Sequence, residues 1–276
     1  MHMACLALGV SLLAQMPVNE AESKLILYPY YARQAAAYDF FRDEDRKQRL
    51  VLQHQPVLNW TNPDNFMGSV FLWTYGGRPE LIGCIGSRQT AAGECFVFHE
   101  LHSLSLGVLQ PVKFGDEFGD GKRVWEPARG GELFEVEGAP DPADSERQRL
   151  TQMRNLAREF TGWMKQDGDI TELRLLPQPI YRYKALEQDV IDGALFALVW
   201  KGTDPDILLT LENREVHGKQ QWKYGLARFN WREMWVQRND KEVWRVEMSG
   251  LSNNHIYISG RVTQTSLSTI GKATSE

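Results

Sequence analysis

The residues best suited to chemistry lie in His99-Glu100-Leu101-His102. Two histidines four positions apart on a helix can share a zinc ion. Here they are three apart in a segment with strand character, so they point to opposite faces and predict no metal site. Glu80, on the preceding predicted strand, is expected to face His99 across a hairpin. A carboxylate beside an imidazole raises the histidine pKa and fixes its tautomer, which suits a general base.

Glu100 and His102 form a second candidate pair, because alternate residues of a strand share one face. Phe96 and Phe98 share that face as well. Ordinary cross-strand pairing at the rim of a sheet is the alternative interpretation of both pairs. The sequence has no Gly-x-Ser-x-Gly elbow, Walker loop or dinucleotide-binding glycine pattern, and it predicts no cofactor and no metal. The catalytic candidates are therefore Glu80, His99, Glu100 and His102.

A binding candidate is Tyr181-Arg182-Tyr183, which follows Pro177 and Pro179. The two prolines keep this stretch extended and remove backbone donors from any ladder. The phenols and the guanidinium could line a polar pocket or form a cation–π stack. The alternative is an edge strand that packs on the neighbouring helix.

Cys84 and Cys95 flank a turn-like stretch, residues 87–93. If the hairpin is centred between Gln89 and Thr90, the two cysteines lie directly opposite each other. Opposed residues in a non-hydrogen-bonded pair have Cα atoms about 4.5 Å apart, which allows a disulfide. The alternative is a pair of small buried thiols.

Two strand-rich regions must position these candidates. In the first, a helix over residues 30–45 precedes a three-stranded meander of residues 69–75, 80–87 and 94–105. In the second, a helix that begins after Asp141-Pro142 carries an apolar stripe as far as Met164, and hairpin strands follow it. The sequence thus predicts an α+β protein with two antiparallel β-rich halves, each preceded by an amphipathic helix. The expected organisation is a signal peptide at 1–14, an N-terminal half at 15–106, a loop or linker at 107–141, a C-terminal half at 142–248 and a polar tail at 249–276.

Composition and charge exclude several function classes. The chain has 276 residues, 36 acidic and 31 basic, and a formal net charge of −5. With no basic stripe, nucleic acid is an unfavourable partner, and so is an anionic membrane surface. Nine tryptophans are more than a chain of this size usually carries, and we expect most of them to fill the core.

The N-terminal residues 4–14 are uncharged and apolar, with the length of a signal-peptide hydrophobic region. They are too short to span a bilayer, and no later segment is long and apolar enough to do so. The pattern predicts a soluble exported protein, periplasmic or extracellular. The alternative is a buried N-terminal helix in a cytosolic protein.

Several short sequence segments together resemble those of a family of exported bacterial proteins of unknown function, found mostly in planctomycete-type bacteria. The resemblance runs from about Tyr38 to Val246 and implies export but no activity. The segments are Trp60-Thr61-Asn62-Pro63, Val70-Phe71-Leu72-Trp73-Thr74, Gly77-Arg78-Pro79-Glu80, His99-Glu100-Leu101-His102-Ser103-Leu104, Glu137-Gly138-Ala139-Pro140, Arg149-Leu150-Thr151-Gln152-Met153-Arg154, Leu173-Arg174-Leu175-Leu176-Pro177-Gln178-Pro179, Tyr181-Arg182-Tyr183, Asp192-Gly193-Ala194-Leu195-Phe196 and Gly202-Thr203-Asp204-Pro205.

Two functions follow as expectations. The first is a non-catalytic binding or envelope-associated protein, whose partner is an envelope component or another protein. The second is a hydrolase that uses one of the Glu/His pairs in a cleft between the two halves.

Overall fold

The computed structural model describes residues 20–90, 93–113, 124–249 and 255–275. The predicted signal peptide, residues 1–14, lies outside this part. The described residues form three α-helices: α1 Glu20–Ala36, α2 Glu146–Ala157 and α3 Leu267–Ser275. They also form seventeen strands: β1 Val51–Leu52, β2 Leu58–Thr61, β3 Phe66–Tyr75, β4 Arg78–Gln89, β5 Glu94–Ser103, β6 Val112–Lys113, β7 Val124–Trp125, β8 Phe134–Glu135, β9 Phe160–Gln166, β10 Asp169–Leu175, β11 Tyr181–Ala185, β12 Val190–Val199, β13 Pro205–Val216, β14 Lys219–Arg228, β15 Glu233–Arg238, β16 Lys241–Val246 and β17 Tyr257–Ser266.

The strands form two large antiparallel sheets. The first has the order β1-β3-β4-β5-β17, with β2 paired to β3. The second has the order β16-β15-β9-β10-β12-β13-β14-β8, with β11 paired to β12. Strands that follow one another directly, such as β3 with β4 and β12 with β13, pair as hairpins because tight turns join them. The predicted antiparallel β-rich architecture is confirmed, whereas the α+β description with a helix before each half is confirmed only in part, because the described residues are mostly strand with few helices.

The two sheets pack face to face, and helices cover the outer faces. On the first sheet, Val70 and Leu72 point toward the second sheet, whereas Phe71 and Trp73 point toward α1 and α3. This alternation follows from the two-residue period of a strand. Strand β12 behaves in the same way: its Leu195, Ala197 and Val199 face the first sheet, and its Ala194, Phe196 and Leu198 face the core that includes α2. Central strands buried on both faces explain the long apolar runs in the sequence.

The predicted helix boundaries were only partly right. Helix α1 begins at Glu20 and ends at Ala36, earlier than the predicted residues 30–45. Helix α2 is capped by Ser145 and ends at Ala157, and the continuation of its apolar stripe is strand β9. Phe160 and Met164 are four positions apart, so they share a face in a strand as well as in a helix. Their spacing therefore did not distinguish the two structures.

The segment predicted to be a polar tail completes the first sheet. Strand β17 pairs with β5 from Tyr257 opposite His102 to Ser266 opposite Glu94, and α3 packs against α1. Without β17, strand β5 would present an unpaired edge. The predicted linker, residues 107–141, packs on both sheets. Its strand β8 pairs with β14 of the second sheet, and its Trp125 is buried in the core of the first. None of the helices in the described ranges is long and apolar enough to cross a membrane.

The predicted disulfide between Cys84 and Cys95 is wrong. Both residues are buried free thiols, which was the alternative interpretation. Cys84 lies opposite Glu100 and Cys95 lies opposite Gln89, so the register differs by five residues from the predicted one. An odd displacement moves a side chain to the other face of the sheet. Accordingly, Cys84 packs between the two sheets and Cys95 packs in the core that includes α1.

Candidate functional site

Glu80 and His99 do not pair, because the same register error placed them opposite each other. His99 lies opposite Ile85, and its Nδ1 is 2.6 Å from the Tyr38 hydroxyl. Burial lowers the pKa of His99 to about 3. The Glu80 carboxylate instead lies 3.5 Å from Arg78 Nη1. A neutral buried histidine beside a tyrosine and a carboxylate beside an arginine are structural arrangements, not a general base with its orienting acid.

Glu100 and His102 do share a face of β5, but they form no pair. His102 Nδ1 donates to the Ser103 carbonyl oxygen at 2.8 Å, and burial lowers the pKa of His102 to about 3. The Glu100 carboxylate accepts a hydrogen bond from the Tyr257 hydroxyl at 2.8 Å. Of the four predicted catalytic residues, Glu100 is the one that lines the main cavity between the sheets.

The three residues of Tyr181-Arg182-Tyr183 lie on edge strand β11, and the side chains of Arg182 and Tyr183 contact different acidic residues on its two faces. Tyr183 is buried, and its hydroxyl donates to Glu212 Oε1 at 2.7 Å. Arg182 points to the other face, where it donates to both oxygens of Asp192 at 3.0 and 2.7 Å. Tyr181 stacks on Tyr183 with ring centroids 5.8 Å apart. The three side chains therefore do not converge on one pocket, and the edge-strand alternative describes them better.

A buried polar network joins the two sheets beside β11. Arg78 Nε of the first sheet donates to Glu212 Oε1 of the second at 2.8 Å, and Arg214 donates to Glu212 Oε2 at 2.7 Å. Burial alone raises the pKa of Glu212, but Arg78, Tyr183 and Arg214 outweigh it and hold that pKa below its ordinary value. Glu212 is thus an ionised group with partners on every side, so this network is structural.

The main cavity has a volume of about 620 Å³ and lies where both sheets and three connecting loops meet. Its wall is built from β5, β17, the turn after β2, the β12–β13 hairpin and the loop between β14 and β15. Most of its lining side chains are aromatic or charged: Trp60, Asp64, Phe66, Arg88, Phe96, Phe98, Glu100, Trp200, Lys201, Asp204, Asp206, Phe229, Trp231 and Arg232. Ligand pockets typically have about 300–1,000 Å³ and apolar walls with a few polar groups.

Glycine at position 202 lets two of these loops touch. Gly202 has a φ of +61°, and a Cβ atom there would lie 2.7 Å from the Thr61 carbonyl oxygen. Nearby, Lys201 Nζ is 2.7 Å from Asp64 Oδ2. The hairpin that carries Asp204 is thereby docked on the turn that carries Trp60.

Three carboxyl groups from the two sheets line this cavity, and their surroundings differ. Asp206 is held by the Trp200 backbone N–H and the Asn230 side chain, each at 2.7 Å. Glu100 accepts from Tyr257, as described above. Among the described residues, the Asp204 carboxylate has neither a hydrogen bond nor an ion pair, although the side chain is only partly exposed.

Burial raises the pKa of all three groups. The pKa of Glu100 is raised to about 7 and that of Asp206 to about 6, and the pKa of Asp204 lies well above its ordinary value. Beside burial, Asp206 and Glu100 each raise the pKa of Asp204 by charge repulsion. Glu100 and Asp206 therefore titrate closer to neutral pH than ordinary carboxyl groups do. Perturbed acids in a cavity mark a functional site more often than other surfaces do.

The cationic side chains of the wall are each engaged with an aromatic ring. Lys201 Nζ lies 4.2 Å from the Trp200 ring centroid, and Arg232 lies 4.9 Å from that of Trp231. Arg88 lies over Phe66 at 5.6 Å. In the described ranges, no group of three or more His, Cys, Asp or Glu side chains is placed to hold a metal ion.

Sequence reasoning found one side of this site and missed the other. The alternation of Phe96, Phe98 and Glu100 on one strand face was identified, and that face does line the cavity. Asp204 and Asp206 were overlooked because they flank Pro205 in what was interpreted only as a hairpin turn. The two acidic residues of Asp204-Pro205-Asp206 were the sequence signal that could have indicated this side of the site.

No family model matches the chain, and comparisons with curated proteins and with solved structures give no match. The resemblance to exported bacterial proteins stays a prediction.

Proposed function

We propose that the protein is an exported, non-catalytic binding protein that holds a small organic ligand in the cavity between its two sheets. The cavity of about 620 Å³, with aromatic walls and three converging carboxyl groups, carries this proposal. Its volume exceeds that of an ordered water cluster and matches the size range of small-molecule sites.

The unpartnered Asp204 carboxylate supports a ligand in this place. This carboxyl group is partly buried and lines the cavity, so a hydrogen bond or an opposite charge from a bound molecule would stabilise it. Glu100 lies across from Ser259 on β17, so both side chains point into the cavity from neighbouring strands. A bound molecule could satisfy Asp204 and Glu100 together.

The hydrolase alternative has less support. It relied on Glu80 with His99 or on Glu100 with His102, and each histidine is buried, makes another contact and has its pKa lowered to about 3. Neither histidine lines the main cavity.

Export is the second part of the proposal. It is supported by the apolar composition of residues 4–14 and by the resemblance to exported proteins. The test is N-terminal sequencing of the protein from its native cell. We expect a start beyond residue 14, and retention of residues 4–14 in the bulk of a soluble cytoplasmic fraction would overturn this part.

Binding is tested by thermal shift against a panel of amines, carboxylates, sugars and nucleosides. Two variants accompany the wild type: Ser259→Phe, which places a bulky ring in the cavity wall beside Glu100, and Ile170→Phe, a change at a side chain that is 61% exposed on β10. A ligand present at about 100 times its Kd stabilises the folded state by about 2.7 kcal/mol. We expect this stabilisation to raise the Tm of the wild type and of Ile170→Phe, but not the Tm of Ser259→Phe.

Two outcomes would overturn the binding proposal. The first is a panel in which no compound shifts the wild-type Tm. The second is a set of active compounds that shift Ser259→Phe as much as Ile170→Phe.

A further inference from the structure

We propose that the ligand of this cavity is an organic cation, an alkylated ammonium group carried on an apolar body. This inference deepens the proposed function and rests on it.

The charges of the wall favour a cation. Glu100 comes from the first sheet, whereas Asp204 and Asp206 come from the β12–β13 hairpin of the second, and all three repel one another. Arg232 attracts the three acids electrostatically but forms no ion pair with them among the described residues. A positively charged group between the two sheets would therefore be attracted by the three acids, and it would reduce their mutual repulsion, which at Asp204 the attraction of Arg232 offsets only in part.

An anion would find fewer partners in the same wall. Lys201 is already paired with Asp64 at 2.7 Å. Arg232 lies over Trp231 and contacts the Asn230 side-chain oxygen at 3.4 Å. An anionic ligand would have to displace these contacts and then approach the three acids, which costs free energy through like-charge repulsion.

The apolar part of the wall determines what kind of cation fits. Phe96 and Phe98 present partly exposed rings to the cavity, in addition to the rings that Lys201, Arg232 and Arg88 cover. Ring faces attract cations that need no hydrogen-bond partner, and this is how quaternary ammonium groups are recognised. A bare ammonium ion fills little of about 620 Å³, so the cation must carry an apolar body that covers the rings.

Proton release gives this inference a second signature. Glu100 faces titratable or charged groups on every neighbouring element: Cys84 on β4, Tyr257 on β17, Asp204 and Asp206 on the β12–β13 hairpin, Arg228 at the end of β14 and Arg232 in the next loop. A bound cation stabilises the ionised form of the three acids. Binding therefore releases protons near neutral pH, and the affinity rises from pH 5.5 to pH 8.

The experiment compares choline with 3,3-dimethylbutan-1-ol, a neutral molecule of the same shape, by isothermal titration calorimetry on the full chain. Benzyltrimethylammonium serves as a larger cation and 3,3-dimethylbutanoate as an anion. We expect at least one cation to bind, and choline to bind at least about tenfold more tightly than its neutral counterpart, a difference of about 1.4 kcal/mol. The heat of binding should depend on the buffer's heat of ionisation, which reports the released protons.

Two variants locate the interaction. Asp204→Asn should weaken cation binding at least about tenfold, and it should fold normally because this carboxylate has no hydrogen-bond or ion-pair partner among the described residues. Asp240→Asn, in the turn between β15 and β16, should leave binding unchanged.

The outcomes separate this inference from the proposed function. If neutral or anionic probes bind as tightly as the cations and Ser259→Phe abolishes their binding, the cation inference fails and the binding function stands. Equal cation binding by wild type and Asp204→Asn also overturns the inference. If no probe binds and the wider panel gives no shift, both fail together.

Discussion

Glu212→Gln tests whether the buried network between the sheets stabilises their packing. Glu212 is fully buried and lies 2.8 Å from Arg78 and 2.7 Å from Arg214. The substitution keeps the shape and removes the charge, so Arg78 loses its nearest counter-charge and keeps only Glu80 at 3.5 Å. Removing one partner of a buried ion pair typically costs about 3–5 kcal/mol. We expect a loss near the lower end, about 3 kcal/mol, because Glu80 and the Leu104 carbonyl still contact Arg78.

The matched control is Glu242→Gln, the same chemical change in a solvent-exposed pair with Arg245. Water already solvates both charges there, so we expect no measurable change in the free energy of unfolding. The assay is urea unfolding at pH 7 followed by tryptophan fluorescence, with comparison of midpoints and slopes.

A double change sharpens the test. Arg78→Met combined with Glu212→Gln should cost less than the two single changes added together, because neither charge is then left buried without its partner. The reasoning would be refuted if Glu212→Gln were as mild as Glu242→Gln, or if the two buried changes were simply additive.

Three further predictions concern the cavity and the first sheet. The raised pKa of Glu100, about 7 against an ordinary 4.5, means that the contribution of Glu100 to stability falls as pH rises from about 4.5 to 7. Glu100→Gln should remove this loss and be more stable at pH 8 by up to about 3 kcal/mol, and an advantage that does not grow with pH in urea titrations would contradict it. Cys84 and Cys95 should resist alkylation in the folded protein and both react in denaturant without reductant, and recovery of a cross-linked peptide by mass spectrometry would contradict it. Gly202→Ala should destabilise the protein by about 1–3 kcal/mol through strain at positive φ and contact with Thr61. The loss should clearly exceed that of the control Gly218→Ala, where φ is +76° and no atom lies within 4 Å of the added Cβ. Equal decreases in Tm for the two variants would count against the docking of the loops.

Local patterns predicted a good part of this fold. The meander of the first sheet and the β12–β13 hairpin were recognised from apolar runs and turn residues, since these signals act within a few residues. The shared face of Phe96, Phe98 and Glu100 was also predicted, because the two-residue period of a strand holds whatever the sheet around it is. Glu100 is accordingly the one predicted catalytic candidate that lines the cavity.

Strand register was decided by tertiary structure. A displacement of five residues between β4 and β5 separated Glu80 from His99 and Cys84 from Cys95. Register depends on which face is buried and on the length of the turn, and both faces of this sheet are apolar, so the local pattern did not select one pairing.

By itself, the sequence determined where many of the strands and turns form and which residues of a strand share a face, but it did not distinguish β9 from the end of a helix. Only the tertiary structure decided that β17 closes the first sheet, and that Asp204 and Asp206 from one sheet meet Glu100 from the other. The physical reason is that the two-residue period and turn chemistry act between neighbours in the chain. The cavity instead depends on the packing of two sheets whose contacting residues lie about a hundred positions apart.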